Sequence, residues 1–489
     1  MSFRRSITWA YIGQFITLAI TFIGSIFVAR LLSPHELGIF AIAMATTGVI
    51  QVFTAFGVGS YIVRDQELKE TTLDTAFTIN AILSVILAGM IFASSFGGSF
   101  LFGDRAVGEI LRLTAALPLF GIVSFRASVM MQRTMRFQFI SLLGVVGNLL
   151  TTAVTVVSAF LGASYMSPAY GGLTSAALST LAYLWVGREY WSIRRSYVDW
   201  REITAFGVRL ISIGGVAQLT GRMCEIVLGK MQGLGALGLY GRASNLSNMI
   251  WSNLYGSATQ VIFTQMSKDL RETGNLHATF TRSLRMITAV LWPALIGLAI
   301  LSKPVIFLLY GERWLPAAAP LSLLMCMQVL SLVYGMNWEL FVLRNEMAKQ
   351  TRLEITRSVI GFVTFAVGAT FSLTGAAAGR VVDAAIGVIL YIPHVRRLAG
   401  TEKGELNRIY LESGLLAVAG VSPAAVLMAA TGASAHTPPA LIVGSILIGI
   451  ALWLASAWRM HHPVIAEMLV FGRRVPGFQR LLHDNGQSW

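Results

Sequence analysis

Glu36-Leu37-Gly38-Ile39-Phe40-Ala41-Ile42-Ala43 and Ala236-Leu237-Gly238-Leu239-Tyr240-Gly241-Arg242-Ala243 are two versions of one pattern, 200 residues apart. Leu37 matches Leu237, Gly38 matches Gly238, Phe40 matches Tyr240 and Ala43 matches Ala243. Each copy follows a long apolar run and opens another. If the pattern marks a duplication, other turns must echo in the same order and the apolar runs must repeat in register.

The runs themselves are membrane spans. The chain has 489 residues, 55% hydrophobic and 12% charged, with a mean hydropathy of +0.68, whereas soluble domains carry about 25% charged residues. Apolar runs of spanning length fall at roughly 8–29, 38–63, 75–102, 107–130, 138–162, 167–187, 207–229, 237–265, 284–302, 317–343, 357–374, 376–394, 411–431 and 439–458. They do not alternate apolar with polar residues as barrel strands do, so they predict helices. The expected fold is an all-α integral membrane protein of about 14 helices. The first run is too long for a signal-peptide core and is read as a retained span.

The net charge of +14 has an explanation in topology. With Arg4 and Arg5 on the cytoplasmic side, that pair, the inner connections and the tail together hold 26 of the 37 basic residues and the outer connections hold five, Arg30, Arg105, Lys230, Lys303 and Arg313. That asymmetry obeys the positive-inside rule and predicts both termini inside, with no nucleic-acid partner needed to explain the charge. Cys224 and Cys326 both sit in apolar runs and supply neither a disulfide framework nor metal-ligand spacing. The adjacent His461-His462 pair lacks metal spacing as well, and no Walker loop or Ser/His/Asp arrangement is present. The chain is expected to be no enzyme, and to hold no metal and no cofactor beyond a coupling ion, Na+ or H+.

The echoes required of a duplication are there. Phe102-Gly103-Asp104-Arg105 after the third run matches Tyr310-Gly311-Glu312-Arg313 after the ninth. Arg133-Thr134-Met135-Arg136-Phe137-Gln138 after the fourth matches Asn345-Glu346-Met347-Ala348-Lys349-Gln350 after the tenth, at an offset of 212. Runs 1–6 therefore pair with runs 7–12. Six crossings return a chain to its starting side, so the repeats are parallel, as in transporters whose site lies between two halves. The expected organisation is a six-helix bundle over 1–200, a second over 201–400, two further helices over 401–460, and a cytoplasmic tail over 461–489.

Ala29-Arg30-Leu31-Leu32-Ser33-Pro34 with Glu36-Leu37-Gly38, and Leu237-Gly238-Leu239-Tyr240 with Tyr310-Gly311-Glu312-Arg313-Trp314, resemble the polysaccharide flippases that export lipid-linked oligosaccharides for O-antigen, capsule and exopolysaccharide. That family belongs to the superfamily of the multidrug extrusion antiporters and the peptidoglycan-precursor flippase. The resemblance covers essentially the whole chain. It implies a bacterial inner-membrane exporter of an undecaprenyl-diphosphate-linked glycan, with membrane lipid around it and a polysaccharide polymerase and export machinery downstream. The peptidoglycan-precursor flippase has a cation site in its second half, but no motif here carries that site over residue by residue.

Six basic residues fall inside the predicted spans. Arg112, Arg126 and Arg209 lie near helix ends and are expected to snorkel to the interface. Arg222, Arg242 and Arg380 lie deeper and need a cavity or a partner. Glu225 and Asp383 follow Arg222 and Arg380 by three residues, on the same helix face. Two readings stay open. In one, the pairs are structural. In the other, the arginines, with Arg30, bind the diphosphate through their planar fork, and Glu225 and Asp383 couple an ion. In the eighth span Arg242, Asn245, Asn248, Ser252, Tyr255 and Thr259 recur at spacings of three and four, a polar face that reads as a wet cavity wall. Two rival functions are a multidrug-type antiporter, which would favour an acidic, aromatic cavity, and a membrane-embedded glycan polymerase or ligase, which would need a large outer catalytic loop.

Overall fold

The structure, a computed structural model, describes residues 3–54, 58–64 and 67–472; side chains are described for these apart from 3–12, 53–54, 99–101, 209–214 and 469–472. The side chains of Arg4, Arg5 and Arg209 fall outside the described set, as do Arg473, Arg474, Arg480 and most of the tail.

The described residues form α-helices α1 (Phe3–Leu31), α2 (Pro34–Thr54), α3 (Val58–Arg64), α4 (Glu70–Phe102), α5 (Arg105–Thr114), α6 (Leu117–Arg133), α7 (Phe137–Phe160), α8 (Ser167–Val186), α9 (Trp200–Trp251) and α10 (Ser257–Thr273). They continue as α11 (His277–Ile300), α12 (Ser302–Tyr310), α13 (Ala318–Val333), α14 (Asn337–Leu343), α15 (Met347–Phe371), α16 (Leu373–Ala399), α17 (Glu405–Ala430), α18 (Pro439–Arg459) and α19 (Pro463–Gly472). Eleven helical stretches among the described residues are long and apolar enough to cross a membrane. The chain is an all-α, multi-pass membrane protein. The expected spans at 167–187, 207–229 and 237–265 are not among the eleven; they fall on α8, on α9 and on α9 running into α10.

Two compact units emerge. One comprises Met1–Gly241 with Ala369–Leu373, the other Arg242–Gly368 with Thr374–Trp489. In the first unit α1 packs on α7, α7 on α8, and α6 on both α4 and α8. Small residues allow the close approach that replaces hydrophobic driving force in lipid: a Cβ on Gly24 would collide with Thr152, and one on Gly171 with Thr155 and the Thr151 carbonyl. In the second unit α11 packs on α13 and α17, and α17 on α18. There α15 and α16 approach so closely that a Cβ on Gly368 or Gly379 would land on the facing backbone at Gly375 or Thr364.

The duplicated stretches meet each other in the first unit. A Cβ on Gly38 would fall on the Leu234 carbonyl oxygen, and one on Gly238 would fall on the Pro34 carbonyl oxygen. Leu234 is the 200-residue equivalent of Pro34, so the contact is reciprocal, as at a two-fold axis. Gly233, with φ 84° and ψ 169°, breaks α9 just before this crossing and sets the direction of the second copy.

The other echoes recur as geometry. Gly103 (φ 72°) ends α4 and Gly311 (φ 91°) ends α12. Met135 (φ 53°) follows α6 and Asn345 (φ 56°) follows α14. Arg136 N–H donates to Met131 O at 2.9 Å, and Glu346 N–H to Phe341 O at 2.9 Å. Those equivalences are 210 residues apart. The offset of 212 read from sequence is corrected by two residues, because the repeated feature is the left-handed turn residue and not the methionine–glutamine pattern that follows it.

Candidate functional site

Arg222 lies on α9, where its side chain is 37% exposed. Its stem crosses α2 at Gly48. A Cβ at that position would lie 2.6 Å from the guanidinium Nε and 2.9 Å from Cδ. Glycine therefore provides the notch in which the arginine lies. One nitrogen donates to Glu225 Oε2 at 3.0 Å, and the guanidinium has five donors in all. The expected pairing of Arg222 with Glu225 is present, and it leaves most of the fork without a partner among the described residues. Arg30 is exposed in the last turn of α1.

Asp383, 3% exposed, is held from two helices. Arg380 Nη1 lies 3.5 Å from its Oδ2, and Arg357 Nη1, from α15, lies 3.2 Å from the same oxygen. Arg357 also donates to Glu354 Oε1 at 2.8 Å, and the Tyr391 hydroxyl donates to Glu354 Oε2 at 2.9 Å. Tyr391 stacks on Tyr334, with ring centroids 5.3 Å apart. A Cβ on Gly361 would lie 2.8 Å from the Asp383 carboxyl, so that glycine admits the carboxylate between α15 and α16. Arg357, one of the 26 basic residues assigned from sequence to the cytoplasmic side, sits within α15 and completes a four-membered charge cluster with Glu354, Arg380 and Asp383. Its signal was available: Glu354 and Arg357 stand three apart, the spacing that flagged the other two pairs.

Arg242 is buried, 8% exposed. Its guanidinium lies over the rings of Tyr310 and Trp314, at 5.2 and 5.3 Å from their centroids. An aromatic shelf is a good environment for a desolvated arginine. Arg242 is thus buried against these rings, and does not share the exposure of the polar residues that follow it in sequence.

That face is real, with a different membership. Asn245, Asn248 and Ser252 are exposed. A five-residue π-helix, Ser252–Gly256, then interrupts the run. A π turn adds one residue to the helical repeat, so the face continues through Gln260 and Thr264, both exposed, and not through Tyr255 and Thr259. Thr259 is buried, and the Tyr255 hydroxyl accepts from the Met336 N–H at 2.7 Å. Sequence periodicity of a straight helix could not reveal the shift.

Of the residues expected to snorkel, Arg112 is exposed but Arg126 is not. It is 6% exposed, forms a buried ion pair with Asp74, and donates through Nε to the Tyr190 carbonyl at 3.2 Å. Asp74 lies on α4, too far away in sequence to be seen as a partner. The two C-terminal spans also enclose something that sequence did not suggest. An apolar cavity of about 420 Å3 lies between α11, α17 and α18, lined by residues including Pro293, Gly297, Val421, Ile446 and Trp453.

Comparisons with known proteins agree on what this scaffold is. The profile of a family described as polysaccharide biosynthesis protein matches residues 27–319, more than half of the chain. The chain belongs to the polysaccharide biosynthesis protein family. Relatives of this family member include the lipopolysaccharide biosynthesis protein WzxC of Escherichia coli (strain K12), 24% identical over 65% of each chain. An uncharacterized membrane protein in the cps region of Klebsiella pneumoniae is 22% identical over 79% of this chain and 80% of its own length. The succinoglycan biosynthesis transport protein ExoT of Rhizobium meliloti (strain 1021) is 22% identical over 65% of each. The family member thus spans 65% of the length of WzxC and of ExoT. Among solved structures, the lipid II flippase MurJ in an inward closed conformation superposes with a TM-score of 0.73 at 15% identity, over 93% of this chain and 99% of that one. An inward-facing multidrug resistance MATE family transporter gives 0.58 at 19% identity, over 79% and 96%. These two likenesses establish the fold.

Proposed function

We propose that this family member is a transporter, not an enzyme, that moves undecaprenyl-diphosphate-linked oligosaccharide repeat units across the bacterial inner membrane by alternating access. Its relatives' roles in lipopolysaccharide biosynthesis and succinoglycan transport support the substrate class. Fourteen crossings are proposed, the eleven apolar stretches plus α8 and the two arms of α9 on either side of Gly233, the second continuing into α10. They form two parallel six-helix repeats, with α17 and α18 added. Both termini are placed in the cytoplasm, on the side where the basic connections gather.

The observation that carries the reading is Arg222: a part-exposed arginine in the first arm of α9, one of the proposed crossings, seated on Gly48, with most of its donors facing no described group. An arginine in that setting is costly unless it serves a charged ligand or a wet cavity. Arg222 and Arg30 are proposed to take the diphosphate, with Arg380 as a weaker candidate because Asp383 engages it. Arg242 is proposed to act through its aromatic shelf, and Asn245 and Asn248 to contact the substrate. Glu225 is the better ion-coupling candidate, since Asp383 already has two arginines; the ion is Na+ or H+. The polyprenyl chain stays in apolar surroundings, of which the cavity beside α17 and α18 is one. Downstream partners are a polymerase and the export machinery.

The test is complementation of a deletion strain with Arg222→Ala. Loss of surface polysaccharide, with lipid-linked units accumulating inside, is expected. Full export with Arg222→Ala and with Arg30→Ala would contradict the assignment of the diphosphate site.

A further inference from the structure

The exposed side chains of Asn245, Asn248, Ser252, Gln260 and Thr264 make one polar line along the end of α9 and the start of α10. Gly256 occupies the missing rung. From Asn248 onward the steps are all of four residues. On a straight α-helix each such step drifts by about 40°, so four of them would wind the line most of the way to the opposite side. The residue added by the π turn at Ser252–Gly256 takes up about 100° of that drift, and the three-residue step from Asn245 to Asn248, which winds the other way by about 60°, offsets the rest. It is held in place from within, because the Tyr255 hydroxyl accepts from Met336 N–H at 2.7 Å, and Trp251 stacks on Tyr255 with centroids 4.3 Å apart. Leu254 and Val261, large apolar residues exposed in the same stretch, fall off the line.

Three properties of the line limit what it can meet. First, it is wet. Asn245 makes no side-chain hydrogen bond to any described residue, and Asn248 donates only to Ser244 Oγ, at 3.3 Å. Amides left in that state are not tolerated against hydrocarbon. Second, it is neutral, since the chain holds no Asp, Glu, Lys, Arg or His between 243 and 267. Third, it is long. Nineteen residues of helix rise about 28 Å, close to the hydrocarbon thickness of a bilayer.

A diphosphate has no use for a neutral ladder, and a cationic drug would want carboxylates. Amides and hydroxyls that both donate and accept suit a ligand made of hydroxyls. We propose that this face is a hydrogen-bonding track for the sugar hydroxyls of the transported molecule, each rung handing them to the next about one helical turn on, while the arginines elsewhere hold the diphosphate. The proposal rests on the transport reading above and adds to it a division of labour: the arginines set whether a lipid diphosphate moves, and the track sets how fast a large glycan moves.

Purified protein in proteoliposomes tests this with two probes, a polyprenyl diphosphate carrying a neutral pentasaccharide and the same carrier with a single hexose. The double variant Asn245→Leu/Asn248→Leu should slow the pentasaccharide about tenfold, the loss expected from one or two hydrogen bonds, and the single hexose no more than about threefold on the same basis. Gln260→Leu, on the other side of the π turn, should show the same bias more weakly, and Asn245→Ser/Asn248→Ser should restore most of the rate. Thermal unfolding of each variant in detergent checks that it is folded. Equal slowing of both probes by folded variants, or no slowing of either, overturns the track. A wild-type protein that moves neither probe overturns the transport reading instead, and the track with it.

Discussion

Ile42 and Arg242 occupy the same place in the two copies of the opening pattern, and both are buried, at 0% and 8% exposure. Their glycine neighbours share one job. Gly38 lies against the backbone at Leu234, and Gly238 against the backbone at Pro34. Position 42 meets aliphatic neighbours, including the surface that Gly229 leaves open beside its Cδ1. Position 242 meets the faces of Tyr310 and Trp314. The two stretches share their geometry where backbones touch and differ in chemistry one helical turn later. The buried charges show a parallel contrast. The first unit has a simple pair, Asp74 with Arg126, whereas the second has a cluster in which Asp383 is served by both Arg357 and Arg380.

The largest effect is expected at the shared geometry. Gly38→Val and Gly238→Val each force a side chain onto a backbone carbonyl, which no rotamer relieves, so neither variant should give a monodisperse protein on size exclusion. Wild-type behaviour of either would show that the helices can part there. Next comes Arg126→Ala, which leaves Asp74 buried without its counter-charge and should cost about 3–5 kcal/mol in a denaturation experiment. The double variant Asp74→Asn/Arg126→Gln should recover part of that loss.

Arg242→Met removes a cation from an aromatic shelf and should cost about 1–2 kcal/mol, more than Ile42→Met at the equivalent place, which exchanges one apolar side chain for another. Equal costs would remove the distinction between the two copies. The smallest effect is predicted for Arg380→Ala. Arg357 still holds Asp383, so the stability loss should stay below about 1 kcal/mol, in the range of a part-exposed pair. A loss as large as that of Arg126→Ala would mean that the cluster has no redundancy.

The membrane class and helical architecture were legible in sequence because hydrocarbon demands long apolar runs and internally satisfied backbones. Matching local geometry was legible at Gly38 and Gly238, where backbone contact forbids a side chain, and at Gly103 and Gly311, where the turn needs positive φ. It was misread by two residues after α6 and α14, because Met135 and Asn345 adopt the same left-handed turn with unlike side chains. Pairs at i and i+3, such as Arg222 with Glu225, could be read off one helix. Asp74 with Arg126 and Arg357 with Asp383 could not, since each joins two different helices and has no spacing within one helix to mark it. The polar face of the eighth span was found, but its lower half was assigned to Tyr255 and Thr259 because a π turn leaves no mark in a straight-helix periodicity.

The central claim is that this protein moves lipid-diphosphate-linked glycans across a bilayer. Wild-type protein in proteoliposomes should accelerate the transbilayer movement of a fluorescent polyprenyl diphosphate oligosaccharide above that in empty vesicles. The movement should saturate with substrate and be competed by unlabelled carrier. Movement no faster than in empty vesicles, or acceleration of a cationic dye in place of the diphosphate lipid, would contradict it.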